Sequence, residues 1–257
     1  MLADLAAGAA IAFAIATLTA PVGVSGAVFL IPVQASVLNT PSPAITPTNL
    51  LYNLIAIPGA LLQYRRQGHV RGRLLRTLVW GTLPGVVAGA VVRVEFLASS
   101  TAFLFVIAAV LIPLGCWLML APMVARAAGE PFPRGRIVFL ALVVGVVGGI
   151  YGIGGGSILA PILVGMGLSV AEVAPAALAA TFLTSIAGVV TYGLLSVGAS
   201  GDVAPDWPLG IAIGLGGLAG GSVGARLQPR LPERLLRRGL GVLALGLGLR
   251  YGIVALG

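Results

Sequence analysis

What constrains this chain most is where its arginines fall. Long apolar stretches, each close to the ~20 residues a helix needs to cross hydrocarbon, alternate with short segments that collect most of the basic residues. All fifteen Lys/Arg positions are arginine and 9% of residues are charged, against roughly 25% in an ordinary soluble domain. With a mean hydropathy of +1.08, the chain reads as an all-α, multi-pass membrane protein. Its pI of about 11.0 does not imply a nucleic-acid partner, because arginines placed between apolar runs set membrane topology.

Two of the apolar stretches are broken by glycine. Gly148-Gly149-Ile150-Tyr151-Gly152-Ile153-Gly154-Gly155-Gly156-Ser157 separates Ile137–Val147 from a second apolar run that contains Pro161 and ends near Met166. Glycine costs roughly 1 kcal/mol at each interior helix position relative to alanine, so such density marks a break. A break inside hydrocarbon is tolerable only where protein or a wet cavity satisfies the backbone. A weaker copy, Gly23-Val24-Ser25-Gly26-Ala27-Val28-Phe29-Leu30-Ile31-Pro32, aligns without gaps on Gly152–Pro161. Each copy opens one half of the chain.

The halves repeat one plan. The first repeat, 1–125, comprises the broken block Leu5–Leu38, then Thr46–Tyr64, Leu74–Val92 and Thr101–Met123. A basic loop, 126–136, leads to the second repeat, 137–257, with its broken block, then Val170–Leu195, Pro208–Ala225 and Gly239–Leu256. Gly216–Val223 echoes Pro84–Val91. No leader is expected to be removed, since Asp4 and no basic residue precedes the first apolar run.

Basic clusters lie at Arg65–Arg76, Arg126–Arg136 and Arg226–Arg238, whereas Asp202 and Asp206 lie in a connection without arginine. If every block crossed once, eight crossings would form two parallel repeats and separate the basic clusters. If each broken block is instead a re-entrant hairpin, all three clusters face the cytoplasm. The arms of the first break, of about 16 and 13 residues, are both shorter than a span, and ~13 residues rise about 20 Å. The expected architecture is therefore six crossings and two re-entrant hairpins in inverted repeats, with eight parallel-repeat crossings as the alternative.

A half-helix that starts inside the membrane presents unpaired N–H groups and about half a positive charge, which holds a small anion without a buried cation. The candidate binding residues are Ser25, Gly26 and Ala27 at the first break, and Gly154, Gly155, Gly156 and Ser157 at the second. The following helices add Asn49 and Asn53 from one half and Thr181, Thr184 and Ser185 from the other, with Thr48 and Gln63 in support. Replacement of Gly155 or Gly156 by valine is expected to abolish transport while leaving insertion measurable. Tyr64 and Tyr192 suit interfacial anchoring, and Arg93 and Arg226 suit snorkelling to headgroups. His69 and Cys116 form no catalytic pair, no metal-ligand spacing is present, and neither an enzyme nor a cofactor is implied.

These motifs resemble the sulfite exporter TauE/SafE family, also called TSUP: Gly23–Gly26 leading to Pro32, Gly152–Gly156 leading to Pro161, Ala180–Gly188 and Thr48-Asn49-Leu50. The resemblance covers nearly the whole chain. It implies a plasma-membrane secondary transporter for small sulfur-containing or related organic anions such as sulfite, thiosulfate or sulfonates. A passive small-anion channel is the alternative. A coupling proton or sodium ion, and a homo-oligomer in the lipid bilayer, are compatible with this expectation.

Overall fold

Glycine and proline set the helix boundaries. In the computed structural model, residues 2–38, 40–68, 72–95, 100–120, 134–196 and 204–256 are described. They form ten α-helices: α1 (Leu2–Thr19), α2 (Ala27–Ser36), α3 (Ser42–Arg66), α4 (Gly72–Glu95), α5 (Ser100–Leu120), α6 (Arg134–Tyr151), α7 (Gly155–Gly165), α8 (Val170–Ser196), α9 (Trp207–Leu227) and α10 (Glu233–Leu256). His69, Arg71, Arg126, Glu130 and Asp202 lie outside the described residues, as does the expected inter-repeat loop as far as Pro133.

Both glycine breaks form. Gly23 (φ 79°) follows a 3-10 turn over Ala20–Val22, and Gly152 and Gly154 (both φ 66°) separate α6 from α7. These left-handed conformations suit glycine because no Cβ clashes there. Proline recurs at matching places: Pro32 in α2 and Pro161 in α7, Pro47 in α3 and Pro175 in α8. Intramembrane helices tolerate proline where neighbouring helices re-satisfy the freed carbonyls.

The first arm is longer than the sequence suggested. Leu2–Val22 is a continuous apolar run of 21 residues, long enough to cross a membrane, whereas Gly135–Tyr151 and Gly155–Gly165 are shorter apolar helices. Pro21 does not end the first run because it sits at the start of the 3-10 turn, where its missing N–H costs nothing. Ala44–Arg66, Gly72–Val94, Val170–Leu195 and Trp207–Arg230 are the other long apolar spans among the described residues.

The halves exchange partners. Helix α1 packs along α9 and α6 along α4; α3 packs on α9 and α8 on α4; α5 pairs with α10 and α3 with α8. Glycine makes the closest approaches. Gly216, Gly220 and Gly224 meet the backbone of Ala9, Phe13 and Thr17, while Gly81, Gly85 and Gly89 meet that of Val138, Leu142 and Val146. Small residues four apart let two backbones touch along their length. This contact register pairs Gly81 with Gly216, one helical turn away from the pairing that the echo of Pro84–Val91 suggested.

Chain direction follows from the same contacts. Gly115 meets Leu245, Gly248 meets Ile112 and Gly252 faces Ala108, so α5 and α10 run in opposite directions. Gly188 meets Leu50, and Asn53 bonds Ser185, so α3 and α8 do too. Polarity is turned inward: Asn49, Asn53, Thr181, Thr184 and Ser185 are fully buried, whereas Trp80, Phe139, Leu194 and Ile253 are exposed, as an apolar solvent favours.

Candidate functional site

The breaks meet at the centre of the bundle. The Ser25 backbone N–H donates to Ser157 Oγ (3.1 Å), Ser157 Oγ lies 3.5 Å from Thr181 Oγ1, and the Ala27 N–H donates to Ser25 Oγ (3.2 Å). Ser25 Oγ in turn donates to Asn53 Oδ1. Asn53 Nδ2 donates to Ser185 Oγ at 3.1 Å and to the Gly152 carbonyl at 3.3 Å. One asparagine thus ties both breaks to α8. Gly154, the residue before α7, has no side chain to cap that helix's first N–H groups.

The structure brings together Ser25, Gly26, Ala27, Asn53, Gly154, Gly155, Gly156, Ser157, Thr181 and Ser185. It leaves two candidates aside. Thr184 Oγ1 donates to the Ala180 carbonyl of its own helix at 2.8 Å, the usual bond of a helical threonine. Asn49 accepts from Gln34 Nε2 at 2.6 Å, one turn along α3 from Asn53. Thr48 also serves the scaffold: its hydroxyl donates to the Ala44 carbonyl and accepts from the Asp206 N–H at the start of α9.

Gln34 was not singled out from the sequence. It is fully buried, and with Asn49 it leaves Oε1 and Nδ2 without a protein partner. The second half places Leu163 and Ala177 at the aligned positions, so the packing itself does not require this polar pair. Its only sequence signal was a lone amide in the apolar run after Pro32.

The glycine triplet is tightly packed. A Cβ on Gly154 would lie 2.6 Å from Thr181 Cγ2, one on Gly155 2.5 Å from Thr82 Cγ2, and one on Gly156 2.6 Å from Thr181 Oγ1. Valine at Gly155 or Gly156 therefore disturbs packing before it reports on binding. Tyr64 and Tyr192 are not interfacial anchors either. Both are buried, and their hydroxyls donate to the Ala20 carbonyl (2.8 Å) and the Gly149 carbonyl (3.0 Å), pinning each half's first helix beside its break.

Arg226 is exposed, as snorkelling requires, but Arg93 is 8% exposed. In the contact register Arg93 is the position equivalent to Gln228, whose Nε2 donates to the Pro21 carbonyl at 2.6 Å. Arg93 is thus built into the bundle.

A lipid-facing helical bundle with paired broken helices, whose ends meet in a buried uncharged polar network, is the architecture of a membrane transporter. The family model of the sulfite exporter TauE/SafE matches residues 8–251. The chain belongs to this family and is a multi-pass integral membrane protein. It is 30% identical over 173 residues to a probable membrane transporter protein, YunE, of Bacillus subtilis (strain 168), a stretch that covers 61% of this chain and 61% of that one. No solved structure matches it.

Proposed function

We propose that this protein is a secondary transporter of small sulfur-containing anions such as sulfite, thiosulfate or sulfonates, which bind where the N-termini of α2 and α7 meet. The observation that carries the proposal is the bond from the Ser25 N–H to Ser157 Oγ, with Asn53 joining both breaks. Two helix N-termini directed at hydroxyls and an amide favour an oxyanion. The absence of a cation from this network lets the anion leave again. The repeats are inverted in this reading, supported by the opposed directions of α3 and α8 and of α5 and α10. The broken segments return toward the side from which they entered. The network's side chains are buried, which favours an alternating-access carrier over an open channel.

Counterflow of radiolabelled sulfite in proteoliposomes tests this, with thiosulfate, sulfate and sulfoacetate as competitors. Saturable counterflow with thiosulfate or sulfoacetate competing is the expected result. Flux proportional to concentration without counterflow would mean a channel, and no flux of any sulfur anion by folded protein would remove the substrate class.

A further inference from the structure

Beside the central network lies a cavity of about 20 Å³, room for about one water. Ser25, Gly26 and Tyr52 form one end of it; Thr19, Ala20 and Ala60 form the other. The second group lies toward the ends of α3 and α9 that carry Arg65, Arg66 and Arg226, so the cavity points from the network to the arginine-rich face. Thr19 is 1% exposed and its Oγ1 has no protein partner. A buried hydroxyl without a partner costs about 1–3 kcal/mol, and a polar ligand in the cavity would remove that cost.

The two sides of the network are lined differently. The cavity's α9 wall is Gly217 and Gly221. In the register that pairs Gly81 with Gly216, the equivalent residues of α4 are Thr82 and Val86. Thr82 fills the matching space: its methyl stands 2.5 Å from where Gly155 would carry a Cβ, and the Val86 methyl lies 3.5 Å from the corresponding point on Gly188. On the α9 side Tyr52, whose equivalent on α8 is Ala180, takes up the space at Gly217, its ring 2.5 Å from where a Cβ would stand, so of the two glycines it is Gly221 that leaves room where α4 carries a side chain. A Cβ at Gly221 meets nothing closer than 3.6 Å, so steric need for close packing does not account for glycine there.

We propose that this cavity is the passage by which the anion moves between the central network and the arginine-rich face. Gly221 keeps it open, and the Thr19 hydroxyl serves as a stepping contact for an oxyanion oxygen. The inference rests on the transport reading above. The passage is narrower than an oxyanion in this conformation and widens as the corner Thr19–Val22 moves away from α9. Two bonds hold that corner shut, from Tyr64 to Ala20 and from Gln228 to Pro21.

The test uses Gly221→Leu, whose side chain enters the cavity from a position that tolerates a Cβ, and Gly221→Cys in a Cys116→Ala background. Gly221→Leu, which overfills a one-water cavity, is expected to lose some thermal stability and, as folded protein, to lose at least tenfold in sulfite counterflow. In Gly221→Cys, an impermeant thiol reagent, washed out before the flux assay, is expected to block transport only when applied to the arginine-rich face of oriented membrane vesicles. Wild-type rates in folded Gly221→Leu would overturn the passage, as would block from the opposite face only or no modification from either face. Wild-type protein that moves no sulfur anion would instead overturn the transport reading itself.

Discussion

The two breaks share a backbone plan and fill it differently. At Gly152–Gly156 the chain presses glycines against α8 and α4, and its hydroxyls belong to Ser157 and Thr181. At Gly23–Ala27 the chain is less glycine-rich, supplies Ser25 to Asn53, and borders the cavity beneath Gly217 and Gly221. Both breaks press glycines on their neighbours, Gly26 on Tyr52 as Gly154 on Thr181, and the first adds polarity and space. Unlike linings thus accompany matched contacts: Gly23 seats on Ala174, and Gly152 on Thr46.

The sharpest way to break this comparison is to exchange equivalent residues. Gly156→Ala places a methyl against the Ala177 carbonyl carbon (2.9 Å) and Thr181 Oγ1 (2.6 Å). Overpacking against backbone is expected to cost about 3 kcal/mol, read as loss of the folded peak in detergent chromatography. The aligned change in the other half, Ala27→Gly, is expected to cost only about 1 kcal/mol. Equal losses would mean that the breaks are not differently packed.

A smaller effect concerns the polar pair found in the first half alone. Asn49→Ala strands the Gln34 amide in an apolar site and is expected to cost about 1–3 kcal/mol. Adding Gln34→Leu, which copies Leu163 and Ala177, is expected to restore the melting temperature. A double variant no more stable than the single would show that the pair holds the fold. The smallest effect is common to both halves: Tyr64→Phe and Tyr192→Phe each lose one bond to a carbonyl, about 1 kcal/mol apiece, and comparable shifts in melting temperature are expected.

Much of the fold was legible because membrane physics writes it coarsely. Apolar length, arginine clusters and glycine-proline breaks located the helices, and Ser25, Asn53, Ser157, Thr181 and Ser185 were identified as residues that converge. Register was not legible. Glycines every four residues align with themselves when shifted by a turn, so Gly81-Gly85-Gly89 match α9 in more than one way, and the contacts of α4 with α6 and of α9 with α1 choose the register. The length of α1 was hidden because Pro21 reads as a breaker in sequence yet occupies a tolerated position. Tyr64, Tyr192 and Arg93 were misplaced because residue type alone favours the interface, whereas their carbonyl partners or burial depend on tertiary packing.

The most direct measurement is sulfite counterflow by Asn53→Asp beside the wild type, from alkaline to acidic pH. The substitution keeps the side chain's size, removes the Nδ2 donor to Ser185 and the Gly152 carbonyl, and adds an acid at the junction of the two breaks. An ionised carboxylate there repels an anion, whereas a protonated one carries no charge and again offers a donor. If the junction binds the anion, the ratio of variant to wild-type flux is expected to be at least tenfold lower at alkaline than at acidic pH. A folded variant whose flux equals the wild type's at every pH would contradict an anion site at Asn53.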